Sequence, residues 1–213
     1  MRDFTLAALV GLCLGTGGAM AAPPVAAAEE GGVRRWAVAP GGAEIYAAPD
    51  ASTPASALAP GTLLDNRGCD AQGWCRVRRW PKGPSGFVQA SALRPAPGHD
   101  GQIVYGKDDS AARARRGDFD ATGTVACAVG PARALAPCAA AVARSGGGDA
   151  TVRVTFPAGI KRLLFFQNGV FLRANTTMSG PGTDTDWRRE GDRHVLRVET
   201  LRATLSHRLI FGD

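Results

Sequence analysis

The sequence predicts an all-β protein made of two small antiparallel units behind a short apolar leader. Three observations predict it. First, apolar residues alternate with polar ones in short runs, as in Trp74-Cys75-Arg76-Val77-Arg78 and Thr151-Val152-Arg153-Val154-Thr155-Phe156. A period of two is that of a half-buried strand. Second, 28 glycines and 14 prolines punctuate the 213 residues, which favours turns and short strands over long helices. Third, Asn168-Gly169 lies between two apolar runs, a strong two-residue hairpin signal.

The leader comes first. Arg2 is followed by the apolar run Phe4–Leu14 and then by Gly17-Gly18-Ala19-Met20-Ala21. A cation, a short apolar stretch and a small-residue end form the pattern of an export signal. The run is shorter than the ~20 residues of a membrane-spanning helix. The sequence therefore predicts a signal peptide over residues 1–21, cleaved after Ala21, with Ala27 or Ala28 as later alternatives. Leu12 stands before Cys13 where a lipoprotein signal carries a small residue, so lipidation is not expected. Residues 22–32 read as a disordered N-terminal segment, and no integral membrane span is expected after cleavage.

Hydrophobic residues make up 45% and charged residues 21% of the chain. That ordinary globular balance excludes disorder throughout. The net charge of +6 favours anionic surfaces or polymers. The arginines are dispersed, however, and only Arg113, Arg115 and Arg116 cluster, in a segment that reads as solvated. Without a basic stripe, nucleic acid is not an expected partner.

The first unit spans residues 33–95. Glu44-Ile45-Tyr46 reads as a strand before the turn-rich stretch from Ala48 to Pro54. Leu58, Thr62-Leu63-Leu64, Trp74–Arg78 and Phe87-Val88 follow, separated by Pro60-Gly61 and by Pro81, Gly83 and Pro84. Ala90-Ser91-Ala92-Leu93 suits a single 3-10 turn.

Four cysteines remain after the leader: Cys69, Cys75, Cys127 and Cys138. An even count in an exported chain points to disulfides, with three possible connectivities. Each close pair sits within one unit, which favours Cys69–Cys75 and Cys127–Cys138. No C-x-x-C occurs, and His99, His194 and His207 are scattered along the chain at no ligand-like spacing. The sequence thus offers neither a metal centre nor a redox motif, and no cofactor is expected.

Three pieces of the first unit resemble the bacterial SH3-like domain family: Pro60-Gly61-Thr62, Gly73-Trp74-Cys75-Arg76-Val77, and Gly86-Phe87-Val88-Gln89-Ala90-Ser91-Ala92-Leu93. The cysteines flanking Gly73-Trp74 resemble a recurrent bridge of that family. One departure is that Ile45-Tyr46-Ala47 stands where Asn-Val-Arg is often found, so any contact made by that arginine is not carried over. The resemblance implies a small barrel that binds cell-wall peptides or envelope proteins in a shallow aromatic groove. Tyr46, Trp74 and Trp80 are the candidate ligand-binding aromatics, with Asp70 and Lys82 as polar partners. Trp74 and Phe87 also suit a core, whereas Trp80, between Arg79 and Pro81, reads as the exposed member.

Residues 96–116 read as a linker. Pro95–Gly101 is rich in proline and glycine, and Lys107–Arg116 suits a short helix or an ordered tether. Residues 117–213 read as a β-rich C-terminal domain of six or seven antiparallel strands. The runs are Thr151–Phe156, Ile160–Phe166, Val170–Leu172, Asp186–Arg188, His194–Val198, Leu201–Leu205 and Leu209–Phe211. This half resembles poorly characterised modules that follow bacterial SH3-like domains. The matching stretches are Gly117–Gly123, the Cys127/Cys138 pair, Val142–Gly148 and Phe166–Gly169. That resemblance implies location rather than activity.

Catalytic motifs are missing from the sequence. There is no G-x-S-x-G, and Arg144-Ser145-Gly146-Gly147-Gly148 lacks the Lys-Ser/Thr of a phosphate loop. Asp118 and Asp120 would share a face of an extended segment and could bind Ca²⁺ with backbone carbonyls, but they also suit turn-capping or solvated carboxylates. The expectation is a non-catalytic, periplasmic or secreted binding protein, with peptidoglycan or an envelope protein as partner. The alternatives are an enzyme of unknown class acting through the C-terminal domain, resting on Asp118 and Asp120, and a secreted inhibitor or interaction protein.

Overall fold

The computed structural model describes residues 32–175 and 184–212. The expected signal peptide, and all but Gly32 of the expected disordered segment, lie outside the described residues. The protein is mostly β, as its residue pattern predicts.

The first unit contains β1 (Trp36–Val38), β2 (Ala43–Ile45), β3 (Ser56–Leu58), β4 (Leu63–Cys69), β5 (Trp74–Arg79), β6 (Ser85–Gln89) and β7 (Leu93–Pro95). A 3-10 turn at Ala90–Ala92 precedes β7, where the sequence places one. Five strands form a sheet in the order β6-β5-β4-β1-β7, and β2 and β3 form a separate hairpin. Alternation sets the two faces. Cys75 and Val77 of β5 point inward with Val88 of β6, Leu64 and Trp36. The hairpin closes over the sheet because Tyr46 and Phe87 exchange backbone hydrogen bonds of 2.9 and 2.8 Å. Gly86 makes this approach possible: a Cβ there would lie 2.5 Å from the Tyr46 carbonyl oxygen and 2.6 Å from Ile45 Cγ1.

Residues 96–116 turn back along the first unit, with Pro97 pairing to Ile103 and Val33 to Tyr105. They then form helix α1 (Ser110–Arg116). Gly117, at φ 82°, ends the helix in the left-handed region. Ser110 and Ala114 are its buried residues, and the Ser110 hydroxyl lies 2.9 Å from that of Thr151.

The second unit contains β8 (Ala121–Val129), β9 (Ala136–Gly146), β10 (Asp149–Thr155), β11 (Lys161–Gln167), β12 (Val170–Ala174), β13 (Thr185–Glu190), β14 (Arg193–Val198) and β15 (Leu201–Ser206). They form one eight-stranded sheet in the order β12-β11-β10-β9-β8-β15-β14-β13. All neighbours are antiparallel, with the Asn168-Gly169 turn joining β11 to β12 as expected. The sheet curls around a single core until it nearly closes: Phe166 of β11 meets His194 of β14 at 5.5 Å between ring centroids. The count of eight exceeds the expected six or seven, because the alanine-rich β8 and β9 carry a weak strand pattern.

The expected last strand at Leu209–Phe211 is corrected. It belongs to helix α2 (His207–Phe211). Ser206 caps this helix, its hydroxyl accepting the Leu209 N–H at 3.2 Å, and Gly212 ends it at φ 94°. Three apolar residues read as a strand, but the capping residues at both ends favour a turn of helix.

Several contacts join the units, with Arg34 Nη1 donating to the Ser145 carbonyl oxygen at 2.8 Å among them. Asp149, fully buried, takes Arg34 Nη1 at 3.0 Å, Arg35 Nη2, and the Asn168 N–H at 2.8 Å. The Trp80 indole donates to Gln167. Gly98 faces Gly147 so closely that a Cβ on Gly98 would meet the Gly147 Cα at 2.7 Å. His99 sits on α2 against His207 and Phe211.

Candidate functional site

The outward face of β5 and β6 carries the aromatic residues that the sequence singles out. Side chains at Trp74, Arg76 and Arg78 lie opposite in sense to the buried Cys75 and Val77. In register, Trp74 faces Gln89 and Arg76 faces Phe87. Tyr46 joins from the end of the β2–β3 hairpin and meets Trp74 edge-on, with ring centroids 5.3 Å apart and planes at 79°. Trp74, Phe87 and Tyr46 are half-buried, and Arg76 is exposed. The result is an aromatic step with a cation beside it.

Two acidic residues support the step. The Tyr46 hydroxyl donates to Glu44 Oε2 at 2.6 Å, and this bond raises the phenol above its ordinary pKa. Asp70 Oδ1 accepts the N–H groups of Gln72 and Trp74 at 3.0 and 2.8 Å. It thereby shapes the tight β4–β5 turn, the usual task of an aspartate there. Asp70 thus positions the backbone of Trp74 from within the loop closed by Cys69–Cys75.

Trp80 and Lys82 do not join this site. They lie at the other end of β5, about 20 Å from Trp74 at the rise of a strand. There Arg79, Trp80, Pro81, Lys82, Gly83 and Pro84 line an open depression of ≈ 400 Å³. The expectation of an exposed Trp80 sharing one groove with Tyr46 is corrected. Trp80 is half-buried, and its Nε1–H donates to Gln167 Oε1 at 2.8 Å. Strand β5 separates the two tryptophans, and the indole N–H of Trp80 is engaged by Gln167 of the second unit.

Both disulfides pair as the spacing favours, Cys69 with Cys75 and Cys127 with Cys138. Beside the second lies a mostly apolar cavity of ≈ 430 Å³, bounded by Cys127, Val129, Arg133, Pro157 and Ile160.

Asp118 and Asp120, the residues that raised a catalytic alternative, are clamped by one guanidinium. Arg113 Nε donates to Asp118 Oδ2 at 2.9 Å and Arg113 Nη2 to Asp120 Oδ1 at 2.6 Å. Asp120 also accepts the Arg144 N–H at 2.6 Å. The hydrogen bonds from Arg113 hold both carboxyls below their ordinary pKa. The pair is therefore ionised and structurally engaged, and Arg113 is a brace between α1 and β8 rather than a solvated cation.

The feature that sequence spacing hid is the convergence of the three histidines. His194 Nε2 lies 3.0 Å from His207 Nδ1, and His207 Nε2 lies 3.2 Å from His99 Nε2. The Trp187 indole N–H reaches His194 Nδ1 at 3.3 Å. The nitrogens meet pairwise rather than at one point. No group of three or more metal-ligating side chains suited to holding an ion is found among the described residues. In sequence these residues are separated by 95 and 13 positions, so no local signal could announce their meeting.

No protein-family model, curated protein or solved structure matches the chain. No helix among the described residues is long and apolar enough to cross a membrane. Two disulfides fit an oxidising, extracytoplasmic compartment.

Proposed function

We propose that this chain is an exported, non-catalytic binding protein of the bacterial envelope. Its first unit is an SH3-like barrel that takes peptidoglycan or an envelope protein on the Tyr46–Trp74 step. The observation that carries this reading is the edge-on Tyr46–Trp74 pair on the outward face of the first sheet, with exposed Arg76 alongside. Aromatic faces supply large contact area, and an adjacent guanidinium supplies hydrogen bonds to carboxylates or carbonyls. The barrel assignment is supported by the five-stranded sheet, the closing β2–β3 hairpin and the 3-10 turn before the last strand. The periplasmic or secreted location is supported by the leader pattern and the two disulfides.

The test is sedimentation with purified cell-wall sacculi at low salt, comparing wild type with Trp74→Ala and Tyr46→Ala. The expected result is retention of wild type and at least a tenfold loss in each variant. Wild-type protein left wholly in the supernatant rejects wall binding. Equal retention of all three rejects the aromatic step as the site.

A further inference from the structure

The hydrogen bonds that run from Trp187 through His194 and His207 to His99 share one consistent direction. An indole nitrogen can donate but not accept. Trp187 Nε1–H therefore makes His194 Nδ1 an acceptor, and neutral His194 carries its proton on Nε2. That proton is donated to His207 Nδ1, so His207 in turn carries its proton on Nε2. His207 then donates to His99 Nε2, which leaves His99 with its proton on Nδ1. The first two rings are within 9° of coplanar, the geometry for an in-plane N–H···N bond. The inner end is anchored in the core, because His194 is fully buried against Phe166 and Trp187. The outer end belongs to a different part of the chain: His99 is exposed and packs on Phe211 of α2 with ring centroids 4.4 Å apart.

We propose that these residues form a one-way relay whose outer link, His207 to His99, is an acid-labile clasp between the segment joining the units and helix α2. One added proton turns an accepting nitrogen into a donor, so two N–H groups then face each other at one link. The relay cannot adapt by reversing its tautomers, because reversal would set an N–H of His194 against that of Trp187. The strain falls on the least buried link. Burial of His194 strongly opposes charge on the inner ring, and the charges of His207 and Arg189 add to that opposition.

The charged and titratable surroundings among the described residues include these. Arg189 stands opposite His194 in the β13–β14 register, beside Glu190 and Arg193. The Asp192 carbonyl accepts the His207 N–H, and Arg208 follows on α2. Asp100 neighbours His99, with its carboxylate engaged by the Gln102 N–H at 3.1 Å. The clasped segment runs directly into the Gly98–Gly147 contact, beside the Arg35–Asp149 pair. Releasing His99 therefore loosens one of the junctions between the units.

Nitrogen-15 NMR of the imidazoles at about pH 8, where histidine is neutral, reads the tautomers directly. The expected forms are Nε2–H for His194 and His207 and Nδ1–H for His99. Any other form on His194 or His207 overturns the relay. Amide exchange of residues 98–105, corrected for intrinsic rate, then tests the clasp. Protection is expected to fall about threefold to tenfold between pH ~7.5 and ~5.5, the equivalent of one lost hydrogen bond. His99→Gln keeps an accepting oxygen but does not titrate, so its protection should not change with pH. No change in wild type, or the same change in His99→Gln, overturns the clasp.

Discussion

The Trp80 indole nitrogen donates to the Gln167 side-chain oxygen at 2.8 Å, across 87 residues of chain. This bond ties the β5–β6 loop of the first unit to the end of β11 in the second. It separates two tryptophans that look alike in the sequence. Trp80→Phe is expected to lower the free energy of unfolding by about 1 kcal/mol, the net worth of one hydrogen bond, with sacculus retention unchanged. Trp74→Ala should instead lose retention. Urea titration beside the sedimentation assay checks both, and a retention loss in Trp80→Phe would return that residue to the ligand site.

Asp149 concentrates the electrostatics of the junction. It is fully buried and takes both Arg34 and Arg35. Removing one partner of a buried ion pair leaves an uncompensated charge, at a cost of about 3–5 kcal/mol. Asp149→Ala should therefore unfold at a markedly lower urea concentration. A loss below about 1 kcal/mol, the level of an exposed pair, would contradict that role.

The run Gly146-Gly147-Gly148 makes the tight β9–β10 hairpin, with φ of 87°, 57° and 84°. At Gly148 it also admits α2, since a Cβ there would lie 2.5 Å from the Phe211 ring and 2.6 Å from Gly169 N. Gly148→Ala should destabilise by about 2–4 kcal/mol, combining a left-handed backbone with overpacking. Gly159 is also left-handed but has open space around it, so Gly159→Ala should cost less. Thermal unfolding of the two variants side by side measures the difference.

Burial, assisted by the charges of His207 and Arg189, holds the His194 imidazole at about 4, against an ordinary 6.5. Between these values the unfolded chain binds more protons than the folded one, so stability rises with pH. The contribution is present above about pH 6.5 and is lost as pH falls toward about 4. His194→Phe keeps an aromatic ring but does not titrate, so its denaturation midpoint should vary less between pH ~4.5 and ~7. An unchanged acid limb in that variant would assign the effect to other groups.

Each disulfide closes a short loop, with cysteines 6 and 11 residues apart. Cross-links of this size contribute about 2–3 kcal/mol apiece through the unfolded chain. Cys69→Ala with Cys75→Ala should also slacken the turn that presents Trp74, reducing sacculus retention. Cys127→Ala with Cys138→Ala should lower stability without touching retention, as denaturation and sedimentation together would reveal.

Much of this architecture is legible locally. Alternation in Trp74–Arg78 and Thr151–Thr155 marks β5 and β10, Asn168-Gly169 marks a hairpin, and the spacing of the cysteines favours the two bridges. Such features depend on neighbours within a few residues, where backbone sterics and side-chain period decide the outcome. The aromatic step is half legible: the sequence nominates Tyr46 and Trp74, but also Trp80, whose hydrogen-bond partner Gln167 lies far along the chain. Likewise His99, His194 and His207 carry no spacing that foretells their meeting. Their relay exists because the eight-stranded sheet curls, α2 caps its end, and the segment after β7 returns over both. Residue chemistry alone determines strands, turns and disulfide candidates, while only long-range packing decides which polar groups must satisfy one another once water is excluded.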